Sequence, residues 1–179
     1  DKINLATNYA VTLSDGTLSA ANVKLINADN GTGTINIASA TSISGTISDV
    51  LEIVNNTNST FTTAANYAVT ISDGTATAAN LNAIDADTLG TVTATSVTSL
   101  SGTVSEVKTA VTSSGLSLSG SETITVTGSG SAADLNTING STSELVTATS
   151  VTTITSSAVS DMLTLISNRG TSGDKINLA

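Results

Sequence analysis

Histidine, cysteine, proline and tryptophan are all absent from this 179-residue chain. Without cysteine there is no disulfide and no thiolate. Without histidine as well, His-dependent catalytic triads and zinc, haem or iron–sulfur sites of the usual kinds are excluded. Aromatics are confined to Tyr9, Phe61 and Tyr67, too few to stack bases or sugars. Basic residues are scarce too, with Lys+Arg 5 against Asp+Glu 14 and a formal charge of −9. Nucleic acid is therefore not an expected partner, because the cationic footprint is missing. No apolar run approaches the roughly 18 residues of a membrane span, and no signal peptide is visible, so membrane insertion is not expected.

What fills the chain instead is hydroxyl: 34 Thr and 27 Ser. Such a composition often accompanies disorder, yet hydrophobic residues reach 39%, mean hydropathy is +0.25 and proline is missing. Disordered tracts are usually apolar-poor and often proline-rich. This chain is long enough, and apolar enough, to bury a core.

The sequence repeats itself. Asn8-Tyr9-Ala10-Val11-Thr12 with Ser14-Asp15-Gly16-Thr17 returns 58 residues later as Asn66-Tyr67-Ala68-Val69-Thr70 with Ser72-Asp73-Gly74-Thr75, and Thr123-Ile124-Thr125-Val126-Thr127 is a weaker echo. Ser42-Ile43-Ser44-Gly45-Thr46 likewise returns as Ser99-Leu100-Ser101-Gly102-Thr103. Within these, a small residue followed three positions on by Asp, Asn or Glu and then an apolar residue occurs six times: Ser19/Asn22-Val23, Thr46/Asp49-Val50, Thr77/Asn80-Leu81, Thr103/Glu106-Val107, Ser131/Asp134-Leu135 and Ala158/Asp161-Met162. A hydroxyl that accepts from the N3 amide starts a helix, and an acidic N3 side chain suits the helix dipole; Thr103/Glu106 meets the strict capping box. Each helix is two or three turns long, too short to stand alone. Between helices the pattern changes to period two, as at Thr91–Thr95 and Thr147–Thr149, which predicts strands.

Successive N3 positions (22, 49, 80, 106, 134, 161) lie 27, 31, 26, 28 and 27 apart. The long interval holds the polar stretch Asn55–Thr60, read as a loop insertion. The expected fold is therefore an α/β solenoid of about six coils of ~28 residues, with parallel strands and short helices. An all-β parallel β-helix is the alternative. The long repeats run about 1–60, 61–114 and 115–173. Because Asp174-Lys175-Ile176-Asn177-Leu178-Ala179 is identical to Asp1-Lys2-Ile3-Asn4-Leu5-Ala6, 1–173 is expected to be one module and 174–179 the start of the next copy. Copies joined end to end are the expected partner, since open strand edges promote association.

The run Gly90–Val107 and the Ala-Ala-Asn/Asp-Leu-Asn helix starts at 78–82 and 132–136 resemble the tandem repeats of very large bacterial, notably cyanobacterial, secreted surface proteins, which often carry RTX-type calcium segments. The resemblance implies an extracellular structural or adhesive module at a bacterial cell surface, with cell-surface polysaccharide or other cells as further partners. It departs from the RTX pattern in lacking any run of Gly-Gly-x-Gly-x-Asp nonapeptides; Gly170–Leu178 is at most one degenerate turn.

Calcium is the one ligand the residues invite. Asp85 and Asp87 stand at loop positions 1 and 3 before Gly90, but Ser96 occupies position 12 where an EF-hand needs Glu. Asp29, in Asn27-Ala28-Asp29-Asn30-Gly31, is the repeat partner, and Asp174 with Asp1 of a neighbouring copy is a further candidate. The competing reading, a helix end turned by Asn/Asp and Gly, is the stronger. Asp15 and Asp73 suggest the paired carboxylates of a polysaccharide-cleaving enzyme, but Asp-Gly in each points to a turn, and no catalytic residue is assigned. The Thr-x-Thr runs raise ice binding, which needs an unbroken Thr array. The expected function is a non-enzymatic spacer or self-stacking filament module, with a ligand-binding adhesin or ice-binding module as the alternative.

Overall fold

A computed structural model of the chain describes residues 5–55 and 61–178. In chain order its elements are β1 (Val11–Thr12), β2 (Thr17–Ser19), α1 (Ala20–Asn30), β3 (Ile35–Ile37), β4 (Ser42–Gly45), α2 (Ile47–Asn55), β5 (Phe61–Thr63) and β6 (Ala68–Ile71). There follow β7 (Thr75–Thr77), α3 (Ala78–Asp87), β8 (Val92–Thr93), β9 (Ser99–Thr103), α4 (Val104–Thr112), β10 (Leu116–Ser117) and β11 (Thr123–Gly130). The last are α5 (Ala132–Asn139), β12 (Val146–Ile154), α6 (Val159–Ser167) and β13 (Ile176–Leu178).

Four helices begin at hydroxyl caps, α2, α3, α4 and α5. Thr103 Oγ1 accepts from Glu106 N at 3.2 Å while Glu106 Oε2 accepts from Thr103 N at 2.9 Å, a complete capping box. Thr46, Thr77 and Ser131 accept from the amides of Asp49, Asn80 and Asp134. α1 ends at Gly31, whose φ of 70° favours glycine. Strand residues alternate as expected of Thr and branched apolar residues: in β11, Thr123 and Thr125 are exposed and Ile124 and Val126 buried.

Among the described residues the chain divides into two compact units. One comprises the residues up to Ser72 with Ala83–Thr93, the other Asp73–Asn82 with the residues from Ala94 onward. The first holds strands in the orders β1-β3-β5 and β8-β6-β4-β2, the second the order β13-β12-β11-β9-β7, all parallel. Pairing lines up buried apolar ranks. Leu18, Ile43, Val69 and Val92 are in register in the first unit. Ala76, Leu100, Ile124, Val146 and Ile176 are in register in the second. Each fully buried Val, Leu or Ile stabilises by about 1.5–3 kcal/mol, and these ranks supply the core that helices of 8–11 residues need.

The expected single solenoid of six ~28-residue coils is overturned. Among the described residues six helices and three parallel sheets are present, with no closed barrel. The spacing does not hold either: Val11 pairs with Ile35, Ile43 with Val69, Val69 with Val92 and Ile124 with Val146, offsets of 24, 26, 23 and 22, whereas Val146 pairs with Ile176 at 30. The physical reason is that distances between helix starts include loops of varying length, while register is fixed by backbone hydrogen bonds. β11 and β12 even slip register twice along their pairing. The all-β alternative falls with the six helices. Of the polar stretch read as a loop, Asn55 closes α2, and 56–60 lie outside the described residues, as do Asp1 and the rest of 1–4.

Candidate functional site

Three of the calcium candidates are helical rather than loop residues. Asp85 and Asp87 lie inside α3 and Asp29 inside α1. Two positions apart on a helix, Asp85 and Asp87 do not face one another. The structure gives Asp29 and Asp87 a different job. Tyr9 Oη donates to Asp29 Oδ2 at 2.7 Å, and Tyr67 Oη donates to Asp87, the same 20-residue reach in both copies of the repeat. Burial, reinforced by the Asp87 bond, pushes the Tyr67 hydroxyl well above the usual tyrosine range. For Tyr9 the Asp29 bond itself is the main cause of a rise. Asp174 is exposed in the bend before β13, and Asp1 lies outside the described residues. No group of three or more Asp or Glu that could hold a metal ion occurs among the described residues.

The Ser-Asp-Gly-Thr motifs form the turns from β1 to β2 and from β6 to β7. Gly16 O accepts from Thr41 N and Thr41 Oγ1, and Gly74 O accepts from Thr98 N and Thr98 Oγ1. Ser143 repeats this arrangement on Gly120 O. A threonine or serine in the following layer therefore ties down each turn, and Asp-Gly is turn chemistry here.

A second recurring contact joins neighbouring helices. In α1, α3, α4 and α5 the side chain five residues after the helix cap reaches the third residue of a neighbouring helix. Lys24 Nζ meets Asp49 Oδ1 at 3.1 Å, and Lys108 Nζ meets Asp134 Oδ1 at 2.8 Å. Asn82 Nδ2 donates to the Glu106 carbonyl at 3.0 Å, and Asn136 Nδ2 to the Asp161 carbonyl at 2.9 Å. Lys24 and then Thr46 hold the Asp49 carboxyl below its usual range; Lys108 and then Ser131 do the same for Asp134. These side chains are part-exposed, so each ion pair contributes at most about 1 kcal/mol. The repeated position five residues beyond the cap was readable in the sequence but carried no motif to flag it.

Glu122 also escaped the sequence reading. Its carboxylate is 1% exposed and accepts from Ser119 N at 2.5 Å, Ser119 Oγ at 2.7 Å and Gly120 N at 3.1 Å. An isolated Glu beside Ser-Gly-Ser resembles any surface turn until the fold buries it.

Across the second unit's sheet the outward hydroxyls fall into ranks, but the ranks are broken. Thr75, Ser99 and Thr123 are in register, as are Thr77, Ser101, Thr125, Thr147 and Asn177.

Helix α6 differs from the others. The apolar residue after the N3 position is buried in five helices, as Val23, Val50, Leu81, Val107 and Leu135, but its counterpart Met162 is only half-buried. Val159, Leu163 and Ile166 are 76%, 62% and 55% exposed, half of the large apolar side chains exposed among the described residues. Beside them lies an open recess of about 520 Å³, lined mainly by apolar side chains such as Val151, Ile154, Leu165 and Leu178 and also by Thr152 and Arg169.

Comparison with known proteins finds no family model, no curated protein and no solved structure that matches the chain. Among the described residues no helix is long and apolar enough to cross a membrane.

Proposed function

We propose that the chain is a structural module of an extracellular bacterial surface protein or filament, a non-enzymatic spacer that joins copies of itself end to end. The observation that carries this reading is where its repeated polar motifs are used. The hydroxyl on the Asp-Gly turn and the side chain five residues past the helix cap tie successive strands and helices to one another, and the tyrosine–aspartate pair ties the start of β1 or β6 to the helix that follows it. Residues repeated for such a purpose describe a load-resisting scaffold, in which main-chain ladders and these side-chain bonds share tension. The excess of carboxylates keeps such a surface hydrated and soluble. The exposed apolar face of α6 supplies the joining surface.

The reading is tested by sedimentation velocity and negative-stain electron microscopy of the full chain across a concentration series. Concentration-dependent rods or fibres are expected. A monodisperse species at every concentration and ionic strength overturns it.

A further inference from the structure

Strand β12 is nine residues long, but its outer side is only partly occupied. β13 pairs with Val146, Thr147 and Ala148, and among the described residues no strand pairs with Thr149–Ile154 on that side. This open edge adjoins the recess and the exposed face of α6. The geometry points to one occupant: the β1 strand and α1 helix of a second copy of this chain, entering parallel to β12 with Val11 opposite Ile154. The inference rests on the self-joining reading above and names the surfaces and register it uses.

Identity and spacing carry the assignment. Ile176-Asn177-Leu178 of β13 is letter for letter Ile3-Asn4-Leu5, so β13 already holds on β12 the place that the start of a second copy would hold. Eight residues past Ile3 stands Val11, and eight past Val146 stands Ile154. The first unit pairs with this same step: Ile35 faces Phe61, and eight residues on Ile43 faces Val69. Val69 is moreover the repeat counterpart of Val11. A β1 placed by these rules continues the vacant part of the β12 edge in register.

The receiving and donating surfaces agree in character. Among the described residues β1 and β2 each have a strand neighbour on one side only, through β3 and β4. α1 carries Leu25, 70% exposed. On α6 the position that bridges to the next helix, five residues past the cap, is Leu163, where α1 and α4 carry Lys24 and Lys108. An apolar bridging residue suits the uncharged Asn22 at the corresponding third position of α1. Docking this way covers Leu163, Ile166 and the recess with apolar surface. It is a head-to-tail contact, which propagates into filaments rather than closing as a pair.

Because the chain has no cysteine of its own, introduced thiols report on the register directly. Ala10→Cys and Thr153→Cys, both exposed, face each other if Val11 faces Ile154. Mixing the two full-length variants under mild oxidation should give the mixed disulfide dimer as the main product. Pairing Ala10→Cys with Thr149→Cys, about 13 Å away along the strand, should give roughly tenfold less, since Cα atoms beyond about 7 Å do not bridge. Leu163→Asp and Ile166→Asp, at exposed sites that leave the monomer folded, should weaken association of the chain roughly tenfold or more. Added salt should strengthen it in the unaltered chain, because both partners carry −9. Association with no preference for position 153 over 149, or indifferent to both Asp substitutions, overturns this interface while leaving self-joining intact. A chain that stays monomeric under all conditions overturns both.

Discussion

The two copies of the tyrosine motif, in one compact unit, have the same letters and the same bonds but different surroundings. Tyr9 bonds Asp29 and Tyr67 bonds Asp87, each 20 residues on. A Cβ added to Gly33 would meet Tyr9 O at 2.3 Å, and one added to Gly90 would meet Tyr67 O at 2.3 Å, so the carbonyl of each tyrosine lies against a glycine that nothing larger can replace. Yet Tyr67 is 1% exposed, whereas Tyr9 is only part-covered. Among the described residues β6 lies between β4 and β8, while β1 has β3 alone. The motif encodes the local bonds, and the number of neighbouring layers decides burial. Among the described residues Tyr9, like α6, looks out from an edge with no further layer packed on it.

The comparison breaks most visibly on truncation. Tyr67→Ala should cost about 3–5 kcal/mol of stability in denaturant unfolding, as expected for a large buried side chain. Tyr9→Ala should cost much less, and equal losses would show that the edge copy is as enclosed as the inner one.

The alkaline titration sharpens the same contrast with a smaller effect. The chain's two tyrosines can be followed by phenolate absorbance. Both hydroxyls are held above the usual range in the folded state, Tyr67 chiefly by burial. Their contribution to stability is therefore present below the ordinary tyrosine pKa of about 10 and is lost as pH rises beyond it, when the unfolded chain ionises more readily. Tyr9→Phe should leave a single phenolate that appears late and together with unfolding, whereas Tyr67→Phe should leave one that titrates with the fold intact. Simultaneous titration of both in the unaltered chain would contradict the difference in burial.

Helix starts provide the smallest contrast. Thr103 closes a full capping box, while Ala158 makes no side-chain cap bond. Thr103→Ala should cost about 1 kcal/mol, and Ala158→Ser should add about 0.5–1 kcal/mol, both read as shifts in the unfolding midpoint. If Ala158→Ser destabilises, α6 is held by something other than its own cap.

Much of the local structure was legible in the residues. All six helix starts lie where a small residue precedes Asp, Asn or Glu by three positions, because capping is decided within one turn. The alternation of Thr with Ile or Val marked strand faces for the same short-range reason. The spacing of helix starts was a poor guide to register, since Ile124 pairs with Val146 at 22 residues and Val146 with Ile176 at 30. Asp29 and Asp87 lie in the last turns of α1 and α3, where the helix-end reading puts them, and they accept from tyrosines 20 residues away, which no local pattern signals. The bridging side chains Lys24, Asn82, Lys108 and Asn136 had no signal beyond their position, because their partners lie in other layers, and Glu122, whose partners are local, had none because only the fold buries it.

By itself the chain of letters determined the elements: where helices begin, which strand residues turn inward, and that Asp174–Ala179 repeats Asp1–Ala6. These follow from interactions that span a few residues and so can be read along the chain. Only the tertiary structure decided which strands share a sheet, which tyrosine is enclosed and which helix is left apolar on its outer face. Those outcomes depend on the count of layers packed on each side, and hydrogen bonds between distant segments set that count.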